Sequence, residues 1–133
     1  MSMRDYSYVD YGLVLDEQTV KHMYNKAFDG REEEWEDMLY ALYDEGICEY
    51  AGDFTGEAIG VDDDGSNSWN DTIVYNNDML YYVPLRKYPS LFHKAYDSII
   101  DIINELKENI GQYMPEGYNY RANIRHIVGT TFG

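Results

Sequence analysis

The chain has 133 residues, 44% of them hydrophobic, with 25 acidic residues against 10 basic ones and a net charge of −15 at pH 7. That length fits one domain whose core needs no disulfide or metal, and 15 Tyr, 4 Phe and 2 Trp set it apart from aromatic-poor disordered chains. The negative charge argues against direct binding of nucleic acid or of anionic membrane surfaces.

Tyr6 to Leu15 is rich in β-formers and reads as a strand. Asp16 follows as the N-cap of a helix through Phe28, with Val20, Met23, Tyr24 and Ala27 at helical spacing and Gly30 as its breaker. A second helix is predicted from Arg31 to Glu45, its inward stripe Trp35, Met38, Leu39 and Leu42 and its stop Gly46. Short strands are expected at Ile47–Tyr50 and Glu57–Val61, separated by Gly52 and Gly56, and Asp62–Asn70 reads as a polar loop. Thr72–Tyr75 and Met79–Val83 read as a hairpin over Asn76, Asn77 and Asp78. The longest predicted helix runs from Ser90 to about Ile110, with Ile99, Ile103 and Leu106 central to its apolar stripe, and Tyr118–Val128 is the last predicted strand. This order predicts an α+β fold over a single domain, 1–133: a mainly antiparallel sheet packed against one long helix, with two shorter N-terminal helices.

Cys48 is the only cysteine, so no internal disulfide forms. The first residues, MSMRDYSYVDYG, contain no apolar segment of the signal-peptide kind, and no run of 18 apolar residues occurs. A cytoplasmic protein is expected.

The charge is unevenly placed. Residues 1–66 carry 18 acids and 4 bases, whereas residues 67–133 carry 7 acids and 6 bases. Between Asp29 and Asp64, 14 acids face Arg31 alone. With the second helix turned on its apolar stripe, Glu33, Glu36, Asp37, Tyr40 and Asp44 share its outer faces, at neighbour distances of about 5–6 Å. Like charges at that spacing destabilise a helix, and Glu32–Asp37, expected in the first turn, is eased there by the helix dipole. Tyr40, Tyr43, Tyr50 and Trp35 interleave with the acids, a composition suited to a protein interface. The partner-binding candidates are therefore Glu32, Glu33, Glu36, Asp37, Tyr40, Asp44, Asp62, Asp63 and Asp64.

In size, charge and carboxylate placement, Glu32–Asp37 and Asp62–Asp64 above all, the chain resembles the small acidic inhibitors that phages and mobile elements encode against nucleic-acid-processing defence enzymes. Anti-CRISPR and anti-restriction proteins are among them. The resemblance implies a DNA mimic that occupies the nucleic-acid groove of a basic partner, such as a defence nuclease, in the cytoplasm of a host cell.

Residue patterns for chemistry are weak. A calcium loop starting at Asp62 would need Gly and Glu where Asn67 and Ile73 stand. His22, His93 and His126 lack zinc-site spacing, and no phosphate-binding or nucleophile-elbow motif occurs. No catalytic residue, metal site or cofactor is expected, and Cys48 is expected to be a buried, inert thiol. Arg121, Arg125 and His126 form one locally basic element, expected to neutralise acids on a neighbouring strand. The leading expectation is a non-enzymatic inhibitor. An immunity protein against a cognate toxin, a small enzyme or ligand-binding domain, and a phage structural or assembly protein stay open, as does a homo-oligomer.

Overall fold

The run Leu13-Val14-Leu15 has no polar alternation, which calls for a strand covered on both faces. The computed structural model, which describes residues 5–62, 66–85 and 99–132, supplies both covers. In chain order the elements are β1 (Asp5–Leu15), α1 (Glu17–Ala27), α2 (Trp35–Asp44), β2 (Glu49–Val61), β3 (Asn67–Pro84), α3 (Ile99–Ile110), a short 3-10 turn (Gly111–Tyr113), α4 (Tyr120–Asn123) and β4 (Ile124–Phe132). All strand pairs are antiparallel, and the sheet closes in the order β1-β3-β2-β4, with β4 returning to β1. The fold is thus α+β with an antiparallel sheet, as its sequence leads one to expect; closure into a barrel is the addition.

Register decides which cover each side chain meets. Leu13 pairs with Val83 and Leu15 with Tyr81, and these point towards the helices; Val14 pairs with Tyr82, and both point into the barrel. The barrel interior holds Val14, Ala51, Phe54, Ala58, Leu80, Tyr82 and Ile127. The larger core lies between the sheet and the helices and takes Val20, Met23 and Tyr24 from α1, Leu39 and Leu42 from α2, and Ile99, Ile102, Leu106 and Ile110 from α3.

So narrow a barrel must curve sharply, and glycines permit it. Gly56 on β2 pairs with Gly129 on β4. A Cβ on Gly56 would lie 2.6 Å from the Gly129 Cα, inside any real contact distance. The fully buried Phe54 ring lies against both glycines.

Local signals placed β1 and α1 well: Asp16 caps α1, its carboxylate accepting the Thr19 amide at 2.7 Å. Other expectations are corrected. α2 starts at Trp35 rather than Arg31, because Asp29 and Gly30 take left-handed φ values of 56° and 70° and turn the chain. Glu32–Glu34 therefore precede the helix, and only Glu36 and Asp37 stand in its first turn. The two short strands at 47–50 and 57–61 are one continuous β2, and the hairpin expected over Asn76–Asp78 is a bulge inside one continuous β3. There Asn77 adopts φ 58° and its amide donates to Thr55 Oγ1 at 3.0 Å on β2, while the Asn76 amide donates to Asp78 Oδ2 at 2.8 Å. The last strand begins at Ile124 rather than Tyr118, because Asn119 accepts the Ala122 amide and caps α4.

A further correction concerns the long helix. α3 has 12 residues, against 11 in α1 and 10 in α2, so among the described residues the sheet packs on three comparable helices rather than one dominant one. The part predicted to start at Ser90 lies outside the described residues up to residue 98. Ile99 and Leu106 are buried as expected, and Ile103 is half-buried against the same core.

Candidate functional site

α2 is held by Leu39 and Leu42 in the core, and by half-buried Trp35 standing edge-on to Tyr81 with ring centroids 5.7 Å apart. This anchoring turns Glu36, Asp37, Tyr40, Tyr43 and Asp44 to solvent. Tyr40 is 62% exposed and Tyr43 52%, large values for aromatic rings. Gly46, at φ 74°, ends the helix region and returns the chain as β2. Tyr50 then comes alongside Tyr43, edge-on at 5.9 Å.

A groove of about 430 Å³ opens between α2 and the start of the sheet. Leu39 and Met79 give it apolar surface, Tyr40 and Tyr50 aromatic surface, and Glu36 and Asp37 two carboxylates. Three candidates from the sequence, Glu36, Asp37 and Tyr40, thus meet in one depression. Asp44 is exposed one to two turns further along the same helix.

The others do not join them. Glu33 lies ahead of α2, near Tyr24 of α1; burial first, and the Glu33 charge second, raise the Tyr24 phenol above its ordinary pKa. Glu32 is exposed in the same connecting segment. Asp62 stands at the far end of β2 from α2, 13 strand residues away, a path of roughly 40 Å at about 3.3 Å per residue. There its amide donates to the Ser66 carbonyl at 2.8 Å and closes a turn. Asp63 and Asp64 lie outside the described residues. The carboxylates expected to form one phosphate-like array therefore divide into an α2 group and a separate β2-end group.

A second depression, of about 360 Å³, lies where β1 ends and β3 continues without it. Ile73, Tyr75 and Tyr81 of β3 line it, with Tyr118 and with Asp16 and Thr19 at the start of α1. Met79, 41% exposed, lines both depressions and joins them. Burial raises the Tyr75 phenol above its ordinary pKa and pushes that of Tyr118 well above it, with the Asp16 charge adding to the effect at Tyr118, so both hydroxyls keep their protons. Sequence reasoning missed Met79 and this slot, because nothing local marks residues contributed by the sheet, the α1 start and the segment before α4.

Of the three basic residues expected to neutralise acids on a neighbouring strand, Arg125 of β4 meets a carboxylate, that of Asp71 on β3, while Arg121 stands on α4 ahead of the strand. Arg125, 5% exposed and opposite Gly60 in the β2–β4 register, donates to Asp71 Oδ1 at 2.9 Å, to the Asp71 carbonyl at 2.9 Å, and to the carbonyls of Ala58 and Ala122. Arg121 donates to the Val61 carbonyl at 2.6 Å. His126 hydrogen-bonds Asn67 and packs on Tyr11, with ring centroids 4.4 Å apart. Cys48 is buried. Among the described residues no group of three or more His, Cys, Asp and Glu side chains is arranged to hold a metal ion, and no helix is long and apolar enough to cross a membrane.

No protein-family model, no curated protein and no solved structure matches the chain.

Proposed function

We propose that the protein is a non-enzymatic binding protein whose α2 face docks on a basic, nucleic-acid-handling protein and competes with nucleic acid for that surface. The observation that carries this reading is the meeting of Glu36 and Asp37 with exposed Tyr40 and Tyr50 in one groove, beside exposed Tyr43 and Asp44. Exposed tyrosines supply contact area at hot spots, and a field of one sign steers an oppositely charged partner.

The helix dipole separates this reading from one in which the acids serve only to stabilise the helix. Negative charge stabilises the N-terminal turn of a helix and destabilises the C-terminal one, by about 0.3–1 kcal/mol per charge at the surface. That accounts for Glu36 and Asp37. It runs the wrong way for Asp44, which stands in the last turn with no basic residue there, and for Glu45, which caps it. The acids thus extend along α2 past the point where local helix stability explains them. The anti-CRISPR-like and anti-restriction-like resemblance is retained as the class of partner, with the contact narrowed to the α2 face, since Asp62 lies apart.

The test uses the immobilised chain beside a variant carrying Glu36→Lys, Asp37→Lys and Asp44→Lys. Proteins held by the native chain and not by the variant should elute with rising salt, bind DNA or RNA when purified, and release that nucleic acid when the free chain is added. Capture of the same proteins by both chains overturns the proposal.

A further inference from the structure

We propose that the α2 groove and the adjoining tyrosine slot form one track for an extended segment of the partner, with an arginine side chain in the groove and a neighbouring bulky apolar side chain in the slot. This rests on the reading of the α2 face given above and goes beyond it by naming what the face grips. Two features lead to it. The groove combines apolar Leu39 and Met79, aromatic Tyr40 and Tyr50, and the carboxylates Glu36 and Asp37. The slot beyond Met79 is walled by Ile73, Tyr75, Tyr81 and Tyr118.

Charge complementarity selects a cation for the groove. The N-terminus of α2 opposes one with about half a positive charge, but Glu36 and Asp37 in that first turn place two carboxylates over it, so the local sum stays negative. Among cations, arginine fits best. Its planar guanidinium stacks on a phenol ring and forks onto a carboxylate at once, while its aliphatic stem covers apolar surface. A lysine ammonium is a compact, strongly hydrated point charge and gains less from the tyrosines.

The slot selects an apolar neighbour. Its phenols are held protonated, and the one carboxylate in its lining, Asp16, is engaged at the start of α1 as the helix cap that accepts the Thr19 amide, so the wall formed by Ile73, Tyr75, Tyr81 and Tyr118 is uncharged. Ile73 is 38% and Met79 41% exposed, so a side chain bridging the two depressions covers surface that is otherwise wet. The backbone of β3 offers no straight edge for an added strand, because the Asn76–Asp78 bulge turns those amides to side-chain acceptors. Recognition is therefore through side chains set at a fixed spacing.

The experiment uses the full chain, isotope-labelled for NMR, and blocked peptides holding one arginine and one leucine separated by one, two or three glycines. Two control sets replace the arginine by lysine or the leucine by glycine. One arginine–leucine spacing should shift the Tyr40 and Tyr50 resonances together with those of Ile73 and Tyr75, and each control should bind about tenfold more weakly. Glu36→Gln with Asp37→Asn should lower affinity about tenfold and flatten its salt dependence. Met79→Lys should also lower it; the two amide substitutions sit on exposed positions and serve if the Met79 variant melts early. The inference falls if no peptide shifts both sets of resonances, or if the lysine or leucine-free peptides bind equally well. Loss of capture by the triple lysine variant, with no peptide shifting both sets, removes the arginine track and leaves the acidic-face reading standing. Peptide binding with capture unchanged does the reverse.

Discussion

Asp71 and the carboxylates of α2 are the same chemistry in two regions, and the protein treats them oppositely. Asp71 on β3 lies over Gly60, where a Cβ would strike its carboxylate, and holds the guanidinium of Arg125, whose side chain is 7% exposed. Glu36, Asp37 and Asp44 project from α2 into solvent. Buried charge needs a partner to be tolerated, so the barrel fixes its acid by geometry. Exposed charge contributes little to folding, so the α2 acids are free to vary without loss of the fold. Stability should therefore be sensitive to change at the barrel and insensitive on α2, while partner binding should show the reverse.

The strongest test of that contrast is Gly56→Ala. The new methyl group meets the Val128 carbonyl and the Gly129 backbone, neither of which is the movable end of a side chain. Overpacking commonly costs about 1–3 kcal/mol, and a clash with backbone belongs at or above the top of that range, roughly 3–5 kcal/mol. Denaturant unfolding that shows a loss under about 1 kcal/mol would mean that the β2–β4 crossing is looser than its geometry indicates. Next comes Asp71→Ala, which leaves the Arg125 guanidinium buried without its counter-charge. Breaking a fully buried pair costs about 3–5 kcal/mol; because the Asp71 side chain is 57% exposed, about 2–3 kcal/mol is expected here. An unchanged melting temperature would place Asp71 with the α2 acids and end the contrast.

How far these regions are legible in the sequence follows from the range of the interactions that make them. β1, α1 and its Asp16 cap are visible because the deciding contacts lie within a few residues. The outer face of α2 is visible for the same reason, as Leu39 and Leu42 at helical spacing fix which way Glu36, Asp37 and Tyr40 point. Asn76-Asn77-Asp78 misleads, because the same turn chemistry serves a hairpin or a bulge. The choice is made by Thr55 Oγ1 on another strand, 22 residues away. Barrel closure, the Gly56–Gly129 contact and the slot past Met79 all depend on such distant partners. The start of α2 misleads for a local reason: Arg31–Glu34 are helix-compatible, but left-handed Asp29 and Gly30 redirect the chain first.

A smaller effect separates the regions by pH. Burial lowers the His126 pKa below its ordinary value, beside the Tyr11 ring and the Asn67 hydrogen bond. The unfolded chain then binds a proton near pH 6.5 that the folded chain resists. The contribution of neutral His126 is full above that pH and is lost as pH falls through the lowered folded value. Discharging acids elsewhere acts in the opposite sense by easing repulsion, so the informative quantity is a difference. His126→Gln should remove part of the fall in stability below about pH 6.5, measured by urea unfolding from neutral to mildly acid pH. Parallel pH profiles for the two chains would show that His126 is not the group responsible.

The smallest expected effect on stability is the most telling for function. Glu36→Lys, Asp37→Lys and Asp44→Lys together should change folding free energy by no more than about 0.5 kcal/mol per site, and opposing terms fix the sign. Lysines in the first turn work against the helix dipole at 36 and 37, and a lysine in the last turn works with it at 44. Each reversal also removes two units of charge from a chain at −15, which relieves self-repulsion. The dipole effects partly cancel and the relief of repulsion remains, so a melting temperature equal to or slightly above that of the native chain is expected at low salt. The gap should close as salt screens both effects beyond about 8 Å at physiological ionic strength. A marked loss of stability would mean that the α2 carboxylates hold the fold as Asp71 does, and the distinction between the two regions would fail.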